Sequence, residues 1–545
     1  MTRLNYLLNR YVNNIKFVIS LNTLEFENYC FKKICITNII IAMEDKTRTN
    51  VIINIARTLV LTILSFITFP WVCRYLGATQ VGIYTWCNTF VMYFLVLAKI
   101  GIPNLAIREC VKVKDDKEKL SNKVQTFFLI QLVTTVLSFG LMTCLVFSIP
   151  DLRNSNEIIF LLSLNFLSGA FSFEWLFIAL EKQFYMSVRT IAVLSISTIL
   201  IIAFVTSPSD IYIYALLTAS VTILTSIANL VYVRKFISLK KTMPYDFRSL
   251  LKPLMVLCSI SLIISFYNQT DTFILGFIDK SKAEVASYSV GIKGIDVIIG
   301  VITALSTVFI PRAAICYAQE DKKYFNRINE YSINICLFIV LPAIATMTTL
   351  AEPITGLISG NTDFNASLGY INAPLVLCIV SSMMLTYSIS DIIYGQILLP
   401  TKKEKYYLIA LFGGTLLNII FSIVFGLYLF PTRPSIGVAL GTAVTDLLIV
   451  IFLIAVTWKW SKRAIFNLNS LKIFSIAIIV FLFTFFIRNP LYNFLLSKGI
   501  GTIKAMIIEL VGMVLIDAVI YLVSLGLLKE DLVMSFLRKR DSNAQ

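Results

Sequence analysis

Histidine is absent from all 545 residues, and charged side chains make up only 14% of them, against roughly 25% in an ordinary soluble domain. Without histidine and without a CxxC pair, zinc and disulfide frameworks are excluded. No GxxxxGK[ST] frame occurs, which excludes ATP hydrolysis within the chain. Long polar stretches are missing too. The longest loops, around 107–125, 234–252 and 311–330, hold roughly 20 residues each, too few for a catalytic domain with its own core. The sequence therefore offers no catalytic residue and no metal ligand set, and it is read as a non-enzyme.

What is present is apolar length. Hydrophobic residues make up 57% of the chain, and the mean hydropathy is +0.82. The excess lies in runs of about 20 residues, the length an α-helix needs to cross a hydrocarbon core of about 30 Å. Barrel strands would instead show alternating segments of about 10 residues. The runs predict helices near 51–69, 81–102, 126–149, 157–180, 186–205, 211–233, 253–276, 285–310, 331–350, 371–391, 406–430, 436–458, 470–487 and 503–527. This is an all-α polytopic membrane protein with about fourteen transmembrane helices. Most of the ten cysteines, among them Cys87, Cys144, Cys258, Cys336 and Cys378, fall inside these runs and read as small lipid-compatible side chains.

The formal net charge is +16, yet the bases sit in short loops between apolar runs, which points to membrane topology and away from nucleic acid. Alternate loops are basic. One set carries Arg108, Lys112, Lys114, Lys117, Lys119 and Lys123, then Lys182, then Arg234, Lys235, Arg248 and Lys252, then Arg312, Lys322, Lys323 and Arg327, then Lys402, Lys403 and Lys405, then Lys459, Lys462, Arg463 and Lys472, and finally the tail around Arg538. The intervening loops offer little beyond Arg74, Arg153, Lys280, Lys282, Arg433, Arg488 and Lys498. The bias is roughly fourfold, so both termini are expected in the cytoplasm. The first 43 residues read as a loose extension with no spanning run, and Met43, opening MEDKTRTN, is expected to be the true start.

Two halves resemble each other. RYLGATQVGIYTW, running on to Pro103 and Arg108, is answered by LGFIDKSKAEVASYSVGIK, running on to Pro311 and Arg312. Glu174 in FEWLFIALEKQF is likewise answered by Asp391 in SISDIIYGQILL. The organisation expected is a six-helix bundle over 44–240, a second in parallel repeat over 241–460, and two additional helices with a cytoplasmic tail over 461–545. Such halves enclose a central cavity suited to alternating access.

An ionisable side chain near the bilayer centre costs at least about 2.5 kcal/mol, so it faces water or a partner. Arg57, Arg189 and Lys293 are the candidates for a cationic lumen that binds phosphate oxygens. Asp271, Glu174 and Asp296 are the candidates for ion coupling. Lys293 and Asp296 are three residues apart on one helical face and can pair with each other. Asp446, Glu509 and Asp517 read as structural charges. Tyr267 and Tyr288 are candidates to line the cavity and stack on sugar rings.

The block from Asn54 to Cys110 carries Pro70, the Arg-Tyr-Leu-Gly run at Arg74 to Gly77, Gly82 with Tyr84, Gly101 and the Arg-Glu pair at Arg108. With its counterpart around Asp271 to Lys293, it resembles the Wzx-type O-antigen and capsule flippases. These belong to the multidrug/oligosaccharidyl-lipid/polysaccharide exporter superfamily. The resemblance runs over about residues 44 to 460. It implies a MATE-like fold in the bacterial cytoplasmic membrane and translocation of an undecaprenyl-pyrophosphate-linked oligosaccharide. It also implies alternating access driven by a proton or sodium gradient without a bound cofactor, beside a polysaccharide polymerase and a chain-length regulator. Two other readings stay open: a drug/cation antiporter of the same superfamily, and a non-transporting membrane component of polysaccharide assembly.

Overall fold

The structure, a computed structural model, describes residues 45–238, 244–361, 369–528 and 530. The expected extension over 1–43 with its start at Met43, and the basic tail around Arg538, lie outside the described residues. Those that are described form helices and no strand.

Thirteen helical stretches are long and apolar enough to cross a membrane. They are numbered here α1 (Asp45–Lys99), α2 (Lys117–Ser148), α3 (Asn156–Ala179), α4 (Gln183–Phe204), α5 (Ile211–Val233), α6 (Arg248–Ile278) and α7 (Ala283–Ala318). Then follow α8 (Lys322–Thr349), α9 (Ala373–Ile392), α10 (Lys405–Ile423), α11 (Pro434–Val456), α12 (Leu468–Ser497) and α13 (Thr502–Leu527). Helices α9 and α10 each continue into a π-helical turn, Ile393–Leu398 and Val424–Leu429.

The thirteen stretches make fourteen crossings, because α1 is two arms joined at Gly77. A straight 55-residue helix would be about 80 Å long at about 1.5 Å per residue, more than twice the hydrocarbon thickness. Gly77 breaks it with φ 75° and ψ 169°, a conformation closed to residues that carry a Cβ. Contacts along α1 show the reversal. On the first arm, Thr68 meets Thr198 at 3.1 Å, and the Trp71 indole donates to the Val205 carbonyl at 3.0 Å, so the partner numbers on α4 rise. On the second arm, the Trp86 indole donates to the Phe273 carbonyl at 3.2 Å and Tyr93 stacks on Phe266 at 4.8 Å, so the partner numbers on α6 fall. Since α4 and α6 both leave basic loops, the two arms run in opposite directions.

Helix α3 is one span by sequence but is broken twice, after Ser163 and at Ser172 and Phe173, where Phe173 takes a left-handed φ of 45°. Freed backbone groups need side-chain partners at membrane depth. Gln131 of α2 donates to the Gly169 carbonyl, and Asn229 of α5 donates to the Ser172 carbonyl.

α1 is the seam of the molecule. It packs against α2 and α4 on one side and against α6 and α7 on the other. The second half is tied by α7 on α9, α9 on α11 and α10 on α11. The last two helices attach to it through α8 against α12 and α12 against α13. Intramembrane polar pairs pin that attachment: Arg488 lies 3.8 Å from Glu509, and Asp517 accepts from Thr484 at 2.7 Å and Thr346 at 3.3 Å.

Replacing Gly77 by alanine is expected to destabilise the fold by about 1–3 kcal/mol through backbone strain alone. A lowered melting temperature of the detergent-solubilised protein checks this. An unchanged one means that α1 reverses by other means.

Candidate functional site

The two halves are packed shut at the end of the molecule away from the basic loops. A Cβ on Gly82 would lie 1.8 Å from the Lys282 carbonyl oxygen, and one on Gly276 would lie 2.0 Å from the Trp86 ring. Only glycine lets these backbones approach so closely. The Lys282 ammonium lies over the Trp86 ring at 4.2 Å from its centroid and donates to the Gly276 carbonyl. Burial holds that ammonium below its usual range, with Asp151 and Asp279 partly opposing the shift. Lys280 reaches Asp151 at 3.2 Å, and Tyr370 donates to the Cys73 carbonyl at 3.1 Å, closing the same end.

Behind this seal lies a cavity of about 450 Å³. Both arms of α1 line it with Thr68, Phe69, Tyr84 and Asn88, and α5 adds Tyr214. Helices α6 and α7 supply Tyr267, Asn268, Asp271, Tyr288, Lys293 and Asp296; α9 supplies Tyr387, and α11 supplies Thr442 and Asp446. It therefore sits between the leading helices of the two halves, where the internal repeat places paired elements. Tyr84 and its repeat counterpart Tyr288 both face it. Asp271 and Tyr288 are buried, whereas Lys293 and Asp296, further along α7 from the seal, have side chains 39% and 42% exposed. The cavity thus opens away from the sealed end.

Asp271 is its most heavily bonded group. Tyr288 donates to one carboxylate oxygen at 2.6 Å, while Asn418 at 2.9 Å and Ser422 at 3.4 Å donate to the other. The same Asn418 amide nitrogen reaches Thr442 at 3.0 Å, and the buried Asn418 amide oxygen has no hydrogen-bond partner. Beside this cluster Tyr267 donates to Asp446. Two buried carboxylates are thus held by hydroxyl and amide donors, with no Lys or Arg within ion-pair distance among the described residues. A set of carboxylate, hydroxyl and amide oxygens suits a proton or a small hard cation.

The structure gathers three of the six sequence candidates here: Asp271, Lys293 and Asp296. Lys293 and Asp296 pair with each other at 2.7 Å, as their spacing allows. Glu174 and Arg189 are placed elsewhere. They form an ion pair at 2.6 Å at the second break of α3, where Arg189 also donates to Asn229 and to Thr190 at 3.0 Å. That cluster holds α3, α4 and α5 together and lines no part of the cavity. Arg57 lies half-buried on α1 and does not line it either. Of the three cations expected in a cationic lumen, only Lys293 reaches it, and Asp296 meets its charge.

Sequence reasoning missed Asp446, grouped with the structural charges, and also Asn418 and Thr442. An aspartate in the otherwise uncharged run 434–456 was the one available signal.

Comparison with known proteins matches this architecture. The family model described as "Polysaccharide biosynthesis protein" matches residues 47–315, and the MatE family model matches 257–424. Between them the two models cover residues 47–424, and over that stretch the chain is similar to polysaccharide biosynthesis proteins and to MatE proteins. Among curated proteins it is 24% identical over 398 residues to the "Putative O-antigen transporter" of Escherichia coli (strain K12), spanning 71% of this chain and 91% of that protein. Among solved structures, lipid II flippase MurJ in an inward closed conformation superposes with a TM-score of 0.67 at 18% identity, covering 89% of this chain and all of MurJ. An inward-facing multidrug resistance MATE family transporter superposes with a TM-score of 0.55 at 15% identity, over 74% of this chain and 96% of its own. The superfamily's MATE-like fold, expected from the resemblance, is the fold found.

Glu174→Gln is expected to cost about 1–3 kcal/mol of stability, because the buried Arg189 guanidinium loses its counter-charge. A thermal melt reads this, and full stability in the variant means that the pair does not hold α3.

Proposed function

We propose that this chain is a transporter of lipid-linked oligosaccharides in polysaccharide assembly. It moves undecaprenyl-pyrophosphate-linked repeat units across the bacterial cytoplasmic membrane by ion-coupled alternating access. The observation that carries the reading is the cavity itself. It lies between the leading helices of the two halves, sealed at one end, with Tyr84, Tyr214, Tyr267, Tyr288 and Tyr387 interleaved with amides and hydroxyls. Aromatic faces and neutral hydrogen-bonding groups are the chemistry that receives sugar rings. The O-antigen transporter relative and the flippase fold support the same substrate class.

By the basic-loop rule, the open end of the cavity faces the cytoplasm and both termini lie on that side. The state described is then the one that accepts substrate from the inner leaflet. Asp271, with Asn418, Ser422 and Thr442, is the coupling site, taking a proton or a sodium ion.

A drug/cation antiporter is the second reading, favoured by Asp271 and Asp446 in a cavity whose single lysine is already paired. One experiment separates the two. Deleting the gene is expected to accumulate undecaprenyl-linked repeat units in lipid extracts and to remove surface glycan. Rescue with the wild-type chain restores export, and rescue with Asp271→Asn leaves export reduced at least about tenfold with its dependence on the ion gradient lost. Unchanged surface glycan with raised drug sensitivity would instead establish the antiporter.

A further inference from the structure

The charge balance of the cavity points to which glycans it passes. Four charged side chains line it: Asp271, Asp446, Lys293 and Asp296. The first two are buried and already hydrogen-bonded to Tyr288, Asn418 and Tyr267. That leaves Lys293 as the one cation that can meet an anionic group, and its ammonium is held by Asp296 at 2.7 Å on the same helix. The pair is intrahelical, three residues apart, so motion of the two halves relative to each other does not itself separate it. Every substrate of the flippase reading carries the same pyrophosphate, so glycans are told apart by the charge of their sugars. A sugar carboxylate entering here would lose water and find no unpaired cation among the described lining residues, while three aspartates stand around it. Desolvating a charge without a partner is costly, and like charges nearby add to the cost. An uncharged sugar meets tyrosine faces, amides and hydroxyls instead.

Resting on the flippase reading, we infer that this cavity selects oligosaccharides of uncharged sugars over those carrying a uronate, and that Asp296 sets the preference by neutralising Lys293. Asp296 is then a specificity determinant, distinct from the coupling site at Asp271. The source of selectivity is the absence of a free cation, so releasing that cation should relax it.

The test uses the full-length chain in proteoliposomes under an imposed ion gradient. The probes are two polyprenyl-pyrophosphate trisaccharides that differ only in glucose or glucuronate at the second sugar. Translocation is read by exposure of the glycan to a glycosidase supplied on the far side. The glucose probe is expected to cross at least about tenfold faster, a ratio corresponding to roughly 1.4 kcal/mol. In Asp296→Asn the freed ammonium is expected to bring the two rates within about threefold of each other. In Lys293→Gln, where Asp296 is left without its partner, the ratio is expected to widen. Equal rates in the wild type overturn the selectivity and leave the flippase reading standing. A wild-type preference unchanged in both variants overturns the role of Asp296. Movement of neither probe in the wild type overturns the flippase reading, and the inference with it.

Discussion

A charge at membrane depth has to be met by a partner or by water, and the arrangement of this molecule follows from how each one is met. Glu174 and Arg189 meet each other where α3 is broken, and in doing so join α3 to α4 and α5. Arg488 and Glu509 meet across α12 and α13, and Arg488 also donates to the Thr349 carbonyl and to Glu352, which fixes the last two helices to the second half. Lys293 and Asp296 meet within one turn of α7. Asp271, Asp446 and Asp517 are held by neutral donors instead, and of these three Asp271 and Asp446 line the cavity. Function is sought at those two because they face the cavity, whereas Asp517 ties α13 to α12 and α8.

The second constraint is close backbone approach. Gly77 folds one helical run into two crossings, and Gly82 and Gly276 let the second arm of α1 press against Lys282 and the end of α6. Both devices lie at one end of the bundle. The chain is consequently shut there, and the cavity widens in the other direction toward Lys293 and Asp296. The seal joins these glycine contacts and the cation over an indole to a buried apolar cluster in which Val72, Leu76 and Val81 of α1 pack with Ala286 and Val290 of α7.

Much of this was legible in sequence. Apolar run length predicts the membrane-crossing helices, and Tyr267 and Tyr288, singled out as cavity candidates, both line the cavity. The spacing of Lys293 and Asp296 predicts their pair. What could not be read is which charges share a space. Arg57 and Arg189 are as deep in their helices as Lys293, and membrane depth alone cannot tell a helix face turned to a cavity from one turned to a neighbouring helix. Asn418 meets Asp271 and Asp446 meets Tyr267 across about 150 to 180 residues of chain, a relation that no local pattern encodes. The continuity of α1 through Gly77 was hidden for a different reason: an Arg-Tyr-Leu-Gly run reads as a loop, and only the backbone angles show helix on either side of a single reversed residue.

On the proposed ion-coupled reading, the position of the Asp271 cluster links ion binding to the seal. Asp271 lies two turns before the end of α6, and its partner Tyr288 lies in the second turn of α7, so their bond bridges the loop that carries Lys282. Asn418 and Thr442 tie the same carboxylate to α10 and α11. Charging or neutralising Asp271 therefore changes the bonds that hold α6, α7 and the second half together, directly beneath the contacts of Gly82 and Trp86. An ion can bias the seal only by binding its open and closed forms with different strength. A four-helix junction around one carboxylate, adjoining the moving contact, provides a place where that difference can arise.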